Sequence, residues 1–82
     1  MILNLYGTSA CHLCEQALEI LESLATELSL SWVEIDIVED EQLMQRYGVK
    51  IPVLQSATGA ELCWPFDKPK VIAFVTGSGS TI

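Results

Sequence analysis

Two cysteines, Cys11 and Cys14, are the residues of this 82-residue chain with the clearest capacity for chemistry. Two residues separate them, and a helix that begins at Cys11 would place both side chains on one face within disulfide reach. Free backbone N–H groups and the helix dipole at that end would favour the thiolate of Cys11. A stabilised thiolate beside a second thiol predicts thiol–disulfide exchange.

The two thiols differ in position, and the difference predicts separate roles. Cys11 lies at the helix start, where we expect it to be the nucleophile that attacks a substrate disulfide. Cys14 lies one turn inside the helix, and we expect it to displace the mixed disulfide as the resolving thiol. His12 lies between them and is a candidate for contact with the substrate.

Two other functions are compatible with this pair of cysteines. Zinc and iron–sulfur sites also use this spacing, and His12 and Cys63 would then be further ligands. Cys63 belongs to a different predicted element, where a structural or exposed thiol is the favoured interpretation, so we predict no metal site within one chain. A cluster bridged between two chains, each giving Cys11, stays open as an alternative. The second alternative is a binding module whose cysteines undergo no physiological redox cycle.

The charge and hydropathy of the chain exclude several kinds of partner. Eleven acidic and four basic residues give a net charge of −7, which would repel nucleic-acid phosphates and anionic membranes. No apolar run approaches the roughly 20 residues that span a bilayer, and the first residues lack the basic leader of a signal peptide. We expect a cytoplasmic monomer that binds neither nucleic acid nor membrane.

Hydrophobic periodicity predicts the elements that would position these residues. The predicted strands span residues 2–6, 31–38, 52–56 and 60–64, and the predicted helices span residues 11–28, 40–47 and 68–75. The first two strands are joined through a helix and should be parallel, whereas the last two should form a hairpin. The βαβαββα order predicts an α/β fold: a four-stranded mixed sheet with helices on both faces.

Side-chain patterns also predict the inward faces of the second strand and the second helix. The strand alternates like an edge strand with one solvated face, and its inward side chains would be Val33, Ile35 and Ile37. The helix would have Glu39 or Asp40 as its N-cap. Its inward side chains would be Leu43, Met44 and Tyr47.

The C-terminal part of the chain completes one domain over residues 1–76. We expect Trp64 and Phe66 to pack in the core and Asp67 to cap the last helix. The Gly- and Ser-rich residues 77–82 are predicted to form a flexible tail.

Three segments of the chain resemble the thioredoxin superfamily, and more closely the small bacterial glutaredoxin-like proteins. They are residues 3–14 (LNLYGTSACHLC), 34–37 (EIDI) and 47–54 (YGVKIPVL). The resemblance implies a thioredoxin-like fold over residues 2–75, with Cys11 as the exposed nucleophile and Cys14 as the resolving thiol. It also implies that Pro52 is cis and faces the disulfide, and that the Ile51 backbone pairs with an extended substrate segment or with glutathione.

The placement of Cys11 and Cys14 predicts a protein or small-molecule disulfide as the substrate, and we expect no bound cofactor. The resemblance adds glutathione as a candidate co-substrate. The chain departs from the glutaredoxin pattern where glutathione would be held. His12-Leu13 stands between the cysteines in place of Pro-Tyr, and residues 63–67 (CWPFD) replace a Gly-Gly pair, so that Asp67 alone matches the acidic helix cap. Lys50 is the nearest candidate to bind a glutathione carboxylate.

Overall fold

The structure, a computed structural model, describes residues 2–77 of the chain. Its elements follow the predicted βαβαββα order, with one short 3₁₀ turn before the second helix. They are β1 (Ile2–Gly7), α1 (His12–Leu28), β2 (Ser31–Asp36), the 3₁₀ turn (Ile37–Glu39), α2 (Glu41–Tyr47), β3 (Val53–Gln55), β4 (Glu61–Cys63) and α3 (Lys68–Thr76). None of the helices in this part of the chain has both the length and the apolar composition that a bilayer crossing needs.

The strands lie in the order β2-β1-β3-β4, which places β1 and β3 at the centre of the sheet. β1 pairs in parallel with β2 and antiparallel with β3, where Leu5 lies opposite Leu54. β3 and β4 form the predicted antiparallel hairpin. The predicted mixed four-stranded sheet and the edge position of β2 are confirmed.

Strand alternation divides the core into two clusters, one on each face of the sheet. On one face, Leu3, Leu5 and Leu54 are at most 4 % exposed and pack against α1 and α3. On the other face, Tyr6 and Val53 pack against α2 and the 3₁₀ turn. Helices therefore cover both faces, as predicted. The other buried side chains of the larger cluster are Ala17, Leu21, Leu24, Leu30, Phe66 and Val71.

Aspartate side chains begin α2 and α3, as predicted. Asp40 accepts hydrogen bonds from the backbone N–H groups of Gln42 and Leu43. Asp67 accepts one from the N–H of Lys70 at 3.0 Å. These N–H groups have no acceptor inside their own helix, so the caps set both helix starts locally.

β2 is shorter than the sequence pattern predicts. It ends at Asp36, whose carboxylate accepts the N–H of Val38 at 2.9 Å and thereby starts the 3₁₀ turn. Ile37 is buried as predicted, but the inward prediction for Val33 is wrong, because this side chain is 52 % exposed. Val33 lies opposite Asn4, toward the start of the strand and beyond the part of the face that the seven-residue α2 covers.

Two predictions in the helices also need correction. Met44 is exposed rather than inward, because Leu43 and Tyr47, four residues apart, define the face of α2 that packs on the sheet. α3 extends one residue beyond the predicted Val75, to Thr76. The predicted flexible tail, residues 77–82, lies outside the described residues except for Gly77.

A stacked pair of tyrosines forms the centre of the smaller cluster. The Tyr6 and Tyr47 rings have their centroids 4.4 Å apart. The Tyr47 hydroxyl donates to the Glu61 carboxylate, and the Tyr6 hydroxyl donates to the side-chain oxygen of Gln55 at 2.8 Å. Burial of the phenol, followed by its hydrogen bond to Glu61 and the charge of that carboxylate, raises the pKa of Tyr47 from 10.0 to about 12.

Replacing Tyr47 with Phe should lower the stability by about 1 kcal/mol at neutral pH, since one hydrogen bond is lost. Between pH 10 and about pH 12, Tyr47 is still protonated in the folded parent but has lost its proton in the unfolded chain. Its free energy of unfolding should therefore fall as the pH rises through that window, and fall less in Tyr47→Phe. Urea unfolding of both proteins below and within the window measures the difference. An equally steep fall in Tyr47→Phe would assign the effect to another group.

Candidate active site

Cys11 lies where the chain passes from the central strand β1 into α1. β1 ends at Gly7, and after a short loop the N–H of Cys11 donates to the Thr8 carbonyl oxygen at 3.2 Å. Cys11 has extended backbone angles (φ −95°, ψ 111°) and is the N-cap of α1. The predicted helix start at Cys11 is thus correct to within one residue, with the sulfur in the place of the usual capping oxygen.

The side chains of Cys11 and Cys14 are joined as a disulfide, with their Cα atoms 5.2 Å apart. This separation lies well within the range of protein disulfides. Both residues are partly buried. The expectation that this spacing brings the two sulfurs within bonding reach is confirmed.

The sulfur of Cys11 also accepts a hydrogen bond from the backbone N–H of Cys14 at 3.1 Å. That N–H is one of the donors that the first turn of a helix leaves without a partner. The sulfur therefore lies at the positive end of the 17-residue α1, where a thiolate would be stabilised.

Gly7 packs directly against the second sulfur. A Cβ atom at this position would lie 2.8 Å from Sγ of Cys14 and 3.3 Å from its Cβ. The sequence pattern ends the predicted first strand at residue 6 and does not predict this contact. The nearest signal was a glycine at the end of a strand that leads into the cysteine motif, where close backbone approach is one reason for glycine.

His12 lies outside the disulfide and faces solvent. Its side chain is 83 % exposed, and its Nδ1 atom lies 3.8 Å from a carboxylate oxygen of Glu15, one turn further along α1. The structure therefore places His12 at the rim of the site, next to an acidic side chain.

The Ile51–Pro52 peptide bond is cis, as the resemblance implied. Pro52 is buried and comes directly before β3. Since Tyr6 lies opposite Val53, one further step of the antiparallel register places Pro52 beside Gly7, and hence at the end of the sheet that carries the cysteines. The N–H of Ile51 donates to the Tyr47 carbonyl oxygen at 3.1 Å, so pairing with an extended substrate would use the Ile51 carbonyl oxygen.

Cys63 is a free, exposed thiol on β4 and does not join this site. It lies opposite Val53, so its side chain is on the α2 face of the sheet, whereas the disulfide lies on the α1 face. Residues 2–77 contain no group of three or more His, Cys, Asp or Glu side chains that could hold a metal ion.

The aromatic residues after β4 pack rather than line the site. Phe66 is buried in the larger cluster, and the Trp64 ring meets it edge-on at 4.9 Å between centroids. The prediction of core packing is confirmed. The Trp64–Pro65 bond is also cis, a feature that the sequence pattern does not predict.

A surface groove of about 300 Å³ opens beside the disulfide, between the start of α1 and the end of β2. Cys11 and Cys14 lie on its α1 side together with Glu15, and Glu34 and Asp36 lie on its β2 side. The alternation of the second strand predicts a solvated face, to which Glu34 and Asp36 would belong. The parallel pairing of β1 and β2 makes both of them part of the wall of the groove.

Comparison with known proteins agrees with the fold and the site. The family model of the glutaredoxin-like domain (DUF836) matches residues 2–76, and the chain belongs to this family. The X-ray structure of the target protein XcR50 from X. campestris is 37 % identical, with 92 % of this chain and 96 % of that chain covered and a TM-score of 0.83. Protein Ne2328 from Nitrosomonas europaea is 31 % identical, with 88 % and 87 % covered and a TM-score of 0.76.

A more distant structure has the same fold. Thioredoxin 1 from Thermosipho africanus TCF52B is 15 % identical, with 98 % of this chain and 96 % of that chain covered and a TM-score of 0.69. No curated protein matches the chain. The resemblance to the thioredoxin superfamily and its glutaredoxin-like members is confirmed, and the Cys11–Cys14 pair is compatible with redox function.

Proposed function

We propose that this protein is a thiol–disulfide oxidoreductase that uses Cys11 and Cys14. The observation that carries the proposal is the geometry of Cys11 as the N-cap of α1. Its sulfur accepts the N–H of Cys14 and is within bonding distance of the Cys14 sulfur. The Cys11 sulfur thus lies where a thiolate is stabilised, and a second thiol, that of Cys14, lies one turn away. These are the two requirements of dithiol exchange.

The first step starts from the reduced protein. The Cys11 thiolate attacks one sulfur of a substrate disulfide, and a new bond joins Cys11 to that sulfur while the substrate S–S bond breaks. The second substrate sulfur leaves as a thiolate and takes up a proton from solvent. Backbone N–H groups at the start of α1, including that of Cys14, stabilise the charge on the attacking sulfur.

The second step releases the substrate. The Cys14 thiol loses its proton and attacks the Cys11 sulfur, which forms the intramolecular disulfide and frees the remaining substrate thiol. Two electrons have then passed from the protein dithiol to the substrate disulfide. Two equivalents of an external thiol, with glutathione as one candidate, or one equivalent of a dithiol return two electrons to the protein and are oxidised to a disulfide. A reducing compartment such as the cytoplasm would supply this reductant.

Residues around the pair are proposed to hold the substrate. Pro52 lies beside Gly7 at the same end of the sheet, and the Ile51 carbonyl oxygen is the backbone group proposed to accept a hydrogen bond from an extended segment. His12 is exposed next to Cys11 and is proposed to contact the part of the partner nearest the disulfide.

Replacing Cys14 with Ser tests this mechanism, because the mixed disulfide on Cys11 could no longer be displaced. Cys14→Ser/Cys63→Ser, mixed with a model peptide disulfide, should gain the mass of one peptide half, and dithiothreitol should remove it. Peptide mapping should place the addition on Cys11. A Cys11→Ser/Cys14→Ser control, which keeps the exposed Cys63, measures stray reaction there.

Two results would contradict the mechanism. Equal labelling of the control and the test variant would show that Cys11 has no special reactivity. Absence of any adduct would favour the binding module without a redox cycle.

A further inference from the structure

The groove beside the disulfide has one sign of charge. Every charged side chain that lines it is a carboxylate: Glu15 from α1, and Glu34 and Asp36 from β2. All three residues are exposed. The groove is part of the proposed redox site itself, since Cys11 and Cys14 lie on its wall.

The sheet register brings the β2 carboxylates close to the sulfurs. Asp36 lies directly beside Gly7, and Gly7 is the residue that contacts Sγ of Cys14. Adjacent strands are about 4.8 Å apart, so the backbone of Asp36 lies only about that distance from the backbone of Gly7. Glu34 lies beside Leu5 and points to the same face, two residues earlier.

Intramolecular cations do not neutralise these carboxylates. Glu15 pairs with the His12 imidazole at 3.8 Å, and Asp36 accepts the N–H of Val38. Among the described residues, no Lys or Arg forms an ion pair with any of the three. The net charge of −7 adds a long-range field of the same sign.

Three exposed apolar side chains lie in the segments that adjoin the same end of the sheet. Leu13 lies between the cysteines, Val38 follows the end of β2, and Val49 precedes Pro52 and is almost fully exposed. Because β1 and β2 are parallel and β3 is antiparallel to them, these three segments meet at one end. These side chains do not line the groove, so only a partner longer than the groove, such as a polypeptide, would reach them.

We infer that the groove selects a polypeptide disulfide flanked by Lys or Arg residues. The inference rests on the proposed function and names its substrate class. A cationic segment laid along the groove would bring its disulfide to Cys11 while its basic side chains meet Glu34 and Asp36. The same residues would make glutathione disulfide, which carries a net negative charge, a poorer substrate than such a segment.

Two peptides with the same internal disulfide, one flanked by Lys and the other by Glu, test the inference. The prereduced protein at low ionic strength should reduce the Lys peptide roughly tenfold faster, and added salt should shrink the ratio. Lys residues beside a disulfide also make its thiol a better leaving group. Each rate is therefore divided by the rate at which dithiothreitol, a neutral dithiol, reduces the same peptide.

Variants of matched charge locate the effect. Glu34→Gln/Asp36→Asn should lower the Lys-to-Glu rate ratio roughly threefold, and the Asn side chain keeps an oxygen to cap the 3₁₀ turn. Glu22→Gln/Glu27→Gln removes the same charge from exposed positions on α1 outside the groove. This control should leave the ratio within about twofold of the parent.

The outcomes separate the inference from the proposed function. Equal rates for both peptides, or the same change of ratio in both variants, would overturn the groove as the selecting element while leaving the oxidoreductase proposal intact. Reduction of neither peptide would overturn both.

Discussion

Replacing Cys11 with Ser should abolish disulfide reduction, with a rate at least roughly a thousandfold below that of the parent. A serine hydroxyl stays protonated at neutral pH and cannot form a mixed disulfide, although the oxygen could still accept the N–H of Cys14 as a helix cap. The fold should therefore persist while the chemistry is lost. Single-turnover reduction of a chromogenic disulfide by the prereduced protein measures the rate, and circular dichroism checks the fold.

Cys63→Ser is the matched control for this experiment. Cys63 is exposed and lies on the opposite face of the sheet from the disulfide. Its replacement should leave the rate within about twofold, as is usual for exposed positions. Parent-like activity in Cys11→Ser would eliminate Cys11 as the nucleophile, and loss of activity in Cys63→Ser would assign the chemistry to the exposed thiol.

Replacing Gly7 with Ala should shift the redox equilibrium toward the dithiol. The new Cβ would lie 2.8 Å from Sγ of Cys14, closer than nonbonded atoms allow. In the reduced protein this sulfur can rotate away, but in the disulfide it is bonded to Cys11 and cannot. We expect the oxidised form to lose about 1–3 kcal/mol relative to the reduced form, a shift of about 5- to 150-fold.

Equilibration in dithiothreitol buffers of graded redox ratio, followed by alkylation of free thiols, measures this shift. Gly59→Ala is the control, because Gly59 has a φ of 91° in the β3–β4 turn and nothing within 4 Å of the added atom. That change should lower the stability by about 1 kcal/mol through backbone strain, equally in both redox forms. A redox equilibrium in Gly7→Ala equal to that of the parent would show that the sheet does not constrain the Cys14 sulfur.

Together, these two variants address separate contributions to the site. Cys11→Ser removes the reacting atom, and Gly7→Ala changes only the surface against which the second sulfur packs. Activity lost in the first and a shifted equilibrium in the second would mean that α1 supplies the nucleophile while β1 sets the balance between dithiol and disulfide.

Features that depend on hydrogen bonds within one or two turns could be predicted from the amino-acid sequence. The reach between Cys11 and Cys14 follows from helical spacing, and Asp40 and Asp67 cap helices whose free N–H groups lie two or three residues away. Alternation and turn residues also predicted the mixed sheet, because each strand carries its own pattern of burial. A local interaction can override the burial pattern. Because Asp36 caps the 3₁₀ turn, β2 ends earlier than the alternation of its side chains predicts.

The surroundings of the two sulfurs, in contrast, depend on contacts between distant parts of the chain. Gly7 meets Cys14 because α1 packs back onto β1, and Pro52 comes beside Gly7 through the pairing of β1 with β3. Asp36 enters the groove through the parallel register with β1, and Cys63 is directed to the opposite face by the register of β4. These contacts join residues far apart in the chain, and their register depends on how all the helices and strands pack at once. A local pattern therefore predicts the reacting pair, whereas the packing of the whole domain decides its neighbours.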